Sequence, residues 1–318
     1  MARYLVTGGA GFIGSHVVEA LVQRGDHVRV LDNFCSGTRA NLASWLNRIE
    51  LLEGDVREAA LVGRAVAGVD YVLHQAALRS VPKSLIDPVG YHEVNVAGTL
   101  HVLMAAREAK VKRVVVASSS SVYGDTEQLP QREDQCADPI SPYAATKLAD
   151  ELYGRLFTKA FGVPTVCLRY FNVFGPRQSL ESEYAVVVPK FITCLLQGEQ
   201  PPVHGDGRQS RDFTFVANVV DANLKACTAA QAPGEAFNIA GGKAHTILDL
   251  VEMLNRLIGT KIPPTLGPPR PGDVKHTRAD IGKARRLLGW EPAVSFEEGL
   301  RRTVEHYRQP HTTHATNR

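Results

Sequence analysis

Tyr143-Ala-Ala-Thr-Lys147 sets a phenol and an ammonium four residues apart, so a helix carries both on one face. A free phenol ionises near pH ~10, and a general base working near neutrality needs its phenolate favoured. A fixed cation one turn away does that. Upstream lies a run of hydroxyls, Ala117-Ser-Ser-Ser-Ser-Val-Tyr-Gly124, in which Ser119 precedes Tyr143 by 24 residues. A hydroxyl there can hold a substrate oxygen and pass on its proton, although serine runs also occur as loops that satisfy their own backbone. Near the N-terminus stands Thr7-Gly-Gly-Ala-Gly-Phe-Ile-Gly14. In that run Gly8 permits a tight turn, Gly11 lets the backbone approach a pyrophosphate, and Gly14 lets a helix pack close to a sheet. Asp32 lies 18 residues past Gly14, where a carboxylate would bond the hydroxyls of an adenosine ribose and repel a 2′-phosphate. That favours NAD over NADP. Asp55 reads equally as a contact to the adenine edge or as a helix N-cap.

These groups need a scaffold, and the chain supplies one. Short β-branched runs at 4–7, 27–31, 49–53, 71–74, 114–117 and 165–169 read as strands, and amphipathic stretches at 12–24, 87–109 and 142–161 read as helices. Near-continuous apolar strands alternating with helices imply a parallel sheet covered on both faces, an α/β doubly wound fold. Residues 1–172 read as a dinucleotide-binding domain of Rossmann type. The phosphate-binding glycines and the serine run both fall at carboxyl ends of its strands, where ligands bind in such sheets. Beyond residue 172, Pro and Gly become dense at 200–207 and 262–272, with helices expected at 187–196, 216–229, 247–258 and 279–288. Residues 173–310 read as a smaller substrate lobe, with a part near 209–242 returning to the sheet through a strand at 236–240. A tail at 311–318 has almost nothing to bury and reads as disordered.

Composition narrows the function. With 318 residues, 36 Lys plus Arg against 33 Asp plus Glu, and a net charge of +3, the chain is not the basic surface a nucleic-acid binder presents. Its apolar runs are too short for a membrane span, and the first strand runs straight into glycines without a secretory signal. Five scattered cysteines (Cys35, Cys136, Cys167, Cys194, Cys227) read as buried reduced thiols of a cytoplasmic protein. No metal is expected, since the 11 His make no His-Glu-x-x-His and His311-x-x-His314 falls in the tail.

Taken together, Thr7–Gly14, Asp32-Asn33, His74-Gln-Ala-Ala77, Tyr143–Lys147, Leu168-Arg-Tyr-Phe-Asn-Val-Phe-Gly-Pro-Arg177, Gly207-Arg-Gln-Ser-Arg-Asp212 and Arg270-Pro-Gly-Asp273 resemble the extended short-chain dehydrogenase/reductases, and within them the nucleotide-sugar 4-epimerases. The resemblance runs from Arg3 to about Tyr307. It implies Tyr143 as catalytic base, Lys147 as its electrostatic partner and ribose ligand, and Ser119 as catalytic hydroxyl, with Ser120 the neighbouring candidate. It places NAD along Gly8, Gly11, Phe12, Ile13, Gly14, Asp32 and Asn33, then Ser36, Gly37, Asp55 and Val56, and finally Ala76, Ala77, Tyr143, Lys147 and Tyr170. A UDP-sugar would meet Arg79, Ser80, Ser119, Tyr143 and Asn172. Arg211 and Arg270 would neutralise its diphosphate, Asp273 would accept its ribose hydroxyls, and Val187 and Phe191 read either as uracil contacts or as core. The implied reaction is redox-neutral, inverting C4 through a transient 4-keto sugar, and the implied assembly is a homodimer pairing helices 87–109 and 142–161.

Departures within the family sharpen the reading. The 4,6-dehydratases place an Asp-Glu pair after the catalytic hydroxyl, and UDP-glucuronate decarboxylases usually carry Glu where Ser121 stands, whereas this chain has Ser120-Ser121. Uronate 4-epimerases share Ser-Ser-Val-Tyr-Gly but usually have Thr at the Asn172 position and Arg at the Ser179 position. A neutral hexose is favoured, with UDP-glucuronate epimerisation, or another dehydrogenase or decarboxylase of the family, as the alternative. Thr277 stands at the position that gates the sugar C2 substituent and leaves room for an N-acetyl group, while Arg79 replaces the glycine of strongly N-acetyl-preferring members. Both acetylated and non-acetylated sugars are expected to be accepted. A non-catalytic NAD-binding scaffold would have lost Ser119, Tyr143 or Lys147, and all three are present.

Overall fold

Seven parallel strands carry the fold: β1 (Arg3–Thr7), β2 (His27–Asp32), β3 (Ile49–Glu53), β4 (Tyr71–His74), β5 (Arg113–Ser119), β6 (Thr165–Tyr170) and β7 (Ala236–Ile239). They lie in the order β7-β6-β5-β4-β1-β2-β3 in this computed structural model, which describes residues 1–179, 187–268 and 274–309. The chain winds outward from β1 to β3 and then crosses to β4 on the other side of β1. A crevice therefore opens at the carboxyl ends of β1 and β4, as in other doubly wound sheets. Period-two alternation divides the strands between two cores. Tyr4, Val6, Leu73, Val115, Val166 and Leu168 join one, and Leu5, Val72, Val114, Val116 and Cys167 join the other. Burial on both faces explains why these strands read as unbroken apolar runs.

A third core gathers Phe174, Val188, Phe191, Ile192, Leu195, Phe213, Phe215, Leu250 and Leu254 in the C-terminal part of the chain. There Val173–Phe174 pairs with Thr214–Phe215, and Ser210–Asp212 pairs antiparallel with Ala244–Thr246. Ala236–Ile239 pairs with β6 at the edge of the main sheet, and the helix Val216–Thr228 before it packs Val219, Ala222 and Ala226 into the first core.

The helices Phe12–Gln23, Pro142–Phe161, Val187–Leu196, Val216–Thr228 and Ile247–Ile258 stand where their periodicity puts them. Two expectations change. The stretch 87–109 is α-helical at Pro88–His92 and Gly98–Glu108, with a π-helical turn at Glu93–Ala97 between them. The stretch 279–288 becomes helical only at Gly282, because Ala279 runs extended in a bridge with Gln131 and the Asp280 N–H donates to the Gln131 carbonyl. The helices Ala59–Val66, Val81–Ile86 and Phe296–Arg308 and the 3-10 turns of Arg39–Arg48 complete the surroundings. Cys167 and Cys227 are buried as expected, but Cys194 is only half-buried, and Cys35 and Cys136 are exposed, since both sit on loops. No helix among the described residues is long and apolar enough to cross a membrane. Residues 311–318 lie outside the described residues.

Candidate active site

The glycine turn is built from close approaches. Gly8 has φ of +66°, and a Cβ there would lie 2.7 Å from the backbone nitrogen of Ala76, just past the end of β4. A Cβ on Gly14 would collide with the Gly8 carbonyl oxygen. The two glycines thus bring β1, the end of β4 and the helix Phe12–Gln23 together with only backbone between them. That helix starts at Gly11 with no side-chain cap, so its first N–H groups are left to an anion. Asp32 closes this end of the site, accepting from Ala10 N–H and Phe34 N–H, each at 2.8 Å. Burial pushes its carboxyl up, against these two amides. A carboxylate so anchored still offers lone pairs to a ribose.

Asp55 is not the helix N-cap, a place Glu58 takes. Its carboxylate accepts the fork of Arg57, from Nε at 3.0 Å and Nη2 at 2.9 Å, and the Asn33 amide at 2.7 Å. The Arg57 bonds lead the causes that hold its pKa below the ordinary carboxylate value. Gly8, Gly11–Gly14, Asp32, Asn33, Ser36, Asp55, Val56, Ala76 and Ala77 all line one cavity of about 670 Å³. Gly37 lies outside this lining, packed against the turn, where its Cβ would stand 2.6 Å from the Ala10 carbonyl carbon. Backbone donors and an acidic ribose site suit a dinucleotide.

The same cavity continues past the ends of β5 and β6 to Ser119, Ser120, Tyr143, Lys147, Tyr170, Asn172, Arg211 and Thr277. Ser119 ends β5 and caps a short turn at Ser120–Tyr123, its Oγ accepting from the Ser121 N–H at 3.2 Å and the Ser121 hydroxyl at 2.8 Å. Its own proton is thereby left to point at a bound oxygen. Tyr143 and Lys147 stand one turn apart on Pro142–Phe161, a helix capped by the Ser141 hydroxyl. The Tyr143 ring is half-buried and packs edge-on against Tyr91, with ring centroids 6.4 Å apart. Tyr170 is tied through its hydroxyl to Gln75 and Asn223, and burial raises its pKa.

Across from these groups, Asn172 takes a left-handed φ of +34°, a region Asn tolerates better than most residues. Its Nδ2 donates to the Asp212 carbonyl at 3.1 Å and to Thr277 Oγ1 at 3.3 Å. Thr277 also accepts from the Asp212 N–H at 3.2 Å, so its hydroxyl is fixed, although the residue lies more than a hundred positions from Asn172. The Asp212 carboxylate beneath is satisfied by the N–H groups of Gly242 and Ala279, and burial raises its pKa to about 7.

The family description GDP-mannose 4,6 dehydratase matches residues 5–303. The chain belongs to this family, within the extended short-chain dehydrogenase/reductases. The UDP-glucose 4-epimerase of Mycolicibacterium smegmatis is 39% identical over 310 residues, covering 96% of this chain and 98% of that protein. The UDP-N-acetylglucosamine 4-epimerase of Methanobrevibacter ruminantium, solved with UDP-N-acetylmuramic acid, superposes with a TM-score of 0.92 at 39% identity over 96% and 98% of the two chains. The UDP-glucose 4-epimerase of Thermus thermophilus, solved with NAD, gives 0.88 at 37% identity over 97% and 99%. A UDP-glucuronic acid decarboxylase and a dTDP-glucose 4,6-dehydratase are also similar. NAD is the cofactor of this family, and the glycine cradle, the uncapped helix and Asp32 fit it.

In this member of the family the remaining sequence candidates divide three ways. Arg79 is exposed on the cavity wall and Arg211 is half-buried there, its Nη1 donating to the carbonyls of Ser210 and Lys275. Ser80, Val187 and Phe191 lie off the lining. Ser80 caps the helix Val81–Ile86 and donates its N–H to the Tyr91 hydroxyl, while Phe191 sits in the third core with Val187 packed on it. Arg270 and Asp273 fall outside the described residues. Sequence reasoning missed the supports behind the site. Asn95, in the π-turn, holds the backbone of Leu78 from both sides and the hydroxyl of Thr146, which ties the loop after β4 to the helix of Tyr143. His74 is enclosed between Thr7 Oγ1 at 2.6 Å and Thr99 Oγ1 at 3.0 Å, and burial lowers its pKa to about 3, so it is neutral. The one signal for Asn95 was a polar residue inside an otherwise helical stretch.

Proposed function

We propose that this chain is an NAD-dependent UDP-sugar 4-epimerase, an isomerase that interconverts UDP-Glc with UDP-Gal and UDP-GlcNAc with UDP-GalNAc. One observation carries the reading: Ser119, Tyr143 and Lys147 share a single cavity with the glycine cradle and with Asn172, Arg211 and Thr277, so that a base, a nucleotide and a sugar diphosphate meet in one space. Bound NAD supplies a hydride acceptor that returns what it takes. Ser119 orients the sugar 4-hydroxyl, and Tyr143 removes its proton and later gives it back. Lys147 favours the phenolate. Arg211, with Arg270, holds the diphosphate while the 4-keto sugar turns over and presents its other face. Serines at 120 and 121, where dehydratases carry acids, leave no group beside Ser119 to eliminate water.

Thr277, small and fixed by its hydroxyl, leaves space at the sugar C2 and supports acceptance of N-acetylated substrates. Residues 173–310 serve in this reading as the substrate lobe. Met104, Leu152, Leu156 and Phe161 expose apolar side chains on the helices Gly98–Glu108 and Pro142–Phe161, which supports a homodimer through these two helices. A monomeric mass by light scattering at micromolar concentration would end that part. Cytoplasmic location belongs to the same proposal, supported by five dispersed free cysteines.

The test is C4 inversion followed by NMR, with the purified protein incubated separately with UDP-Glc, UDP-GlcNAc and UDP-GlcA and no added reductant. Inversion of a neutral sugar without accumulating NADH is expected. Steady NADH accumulation would make the protein a dehydrogenase, and inversion of UDP-GlcA alone would make it a uronate epimerase.

A further inference from the structure

Lys147 forms an ion pair that the proposed reaction does not require. Its Nζ donates to Oδ2 of Asp150 at 3.0 Å, three residues further along the same helix, with Lys147 2% and Asp150 0% exposed. Lys147 lines the cavity and Asp150 stands behind it, off the lining. The second oxygen of Asp150, Oδ1, is buried without a hydrogen-bond partner. A carboxylate satisfied at one oxygen in such a place costs stability. Burial accordingly raises its pKa to about 6, against the pull of Lys147. The carboxylate is costly to keep charged there, yet it gives the buried Lys147 ammonium its counter-charge.

Neighbouring charges are accounted for. Glu151 is engaged by the Arg169 fork from β6, at 2.9 and 2.7 Å, and by the Ser118 hydroxyl of β5 at 2.5 Å. His74 of β4 is neutral, burial keeps the Cys167 thiol of β6 protonated, and the Thr99 hydroxyl, close to Asp150 on the helix Gly98–Glu108, gives its proton to the Asn95 carbonyl and not to Oδ1. Tyr143 stands one turn before Lys147. Among the described residues, Asp150 is the counter-charge of Lys147.

We propose that Asp150 is a positioning residue for Lys147, holding the ammonium against the back wall of the cavity and offsetting its charge, and so setting how strongly the Tyr143 phenolate is favoured. The inference rests on the reading of Tyr143 as the base. With the carboxylate in place the pull of the ammonium on Tyr143 is damped, and the phenolate remains a strong proton acceptor. Without it the full pull of the ammonium falls on Tyr143, and the phenolate accepts a proton less readily.

The experiment uses the full chain with its bound NAD, following UDP-Glc epimerisation from about pH 5.5 to about pH 9. Asp150→Asn keeps the size and an acceptor but removes the charge. The expected result is a KM within about two-fold of the parent, a plateau kcat lower by about ten-fold, and an acid limb of kcat/KM moved down by about one pH unit, with bound NAD retained. An acid limb and kcat unchanged in Asp150→Asn would overturn the inference, because an amide would then serve as well as a carboxylate. If Asp150→Asn does not hold NAD or fold, Asp150→Ser, which leaves room for a water, is read by the same two criteria. Tyr143→Phe separates the failures. If that variant keeps more than about a tenth of kcat, the base assignment itself is wrong; if it is inactive while the Asp150→Asn limb stays in place, only this inference falls.

Discussion

The two ends of the cavity are built differently. At the proposed nucleotide end the closest approaches are backbone on backbone: Gly8 against Ala76, Gly14 against the Gly8 carbonyl, and the uncapped start of the helix Phe12–Gln23, all within a few residues of β1 except the approach to β4. At the proposed sugar end, side chains from remote segments take over. Asn172, Asp212 and Thr277 reach one another only because β6, the ribbon at Ser210–Asp212 and the segment before Gly282 converge. A turn closed by backbone contacts leaves no room for an added side chain. An end made of side chains on a scaffold can be altered one residue at a time.

The largest expected effect tests where the ends meet. Tyr143→Phe should lower kcat by about three orders of magnitude with bound NAD unchanged, measured by C4 inversion and by the nucleotide released on denaturation. Loss of NAD in that variant would mean that the cofactor end depends on a sugar-end side chain. Next, Gly14→Ala drives a methyl into the Gly8 carbonyl and should cost about 2–3 kcal/mol of stability together with NAD retention. Gly63→Ala, in the helix Ala59–Val66, where the Cβ would meet nothing within 4 Å and the backbone is ordinary helix, is the control for its effect on packing.

A smaller effect is a dependence on pH. The Asp150 carboxyl is raised from 3.8 to about 6 in the fold, so the folded state binds more protons than the unfolded chain between those values. Its contribution to stability is fully present below about pH 4 and lost as the pH rises through about 6. The Tm of the parent minus that of Asp150→Asn should therefore fall between pH 4 and pH 7, by an amount equivalent to at most about 3 kcal/mol. A constant difference would show that Asp150 does not titrate in that window.

The smallest effects sharpen the sugar end. Thr277→Val removes the hydroxyl that joins Asn172 to Asp212 and should cost about 1 kcal/mol of stability while slowing UDP-Gal and UDP-GalNAc alike. Thr277→Tyr should instead slow UDP-GalNAc about ten-fold more than UDP-Gal, read as the ratio of their kcat/KM values. Equal slowing by both variants would remove Thr277 as the C2 gate.

The alternation of strands and helices, the glycine turn, Asp32 and the Tyr143–Lys147 pair were legible in the sequence because each depends on residues close along the chain. Period two for strands, 3.6 for helices and fixed offsets within a turn are local signals. The strand order, with β4 placed beside β1, joins Gly8 to Ala76 across nearly seventy residues, and no local pattern carries that. The same holds for Asn33, whose amide reaches Asp55 from the end of β2, and for Phe191, which the third core claims. It holds most for Asp150. Three residues beyond Lys147 it reads as one more helix-surface acid, and only enclosure of that helix face turns it into a buried counter-charge, because the energy of a charge is set by the solvent it has lost.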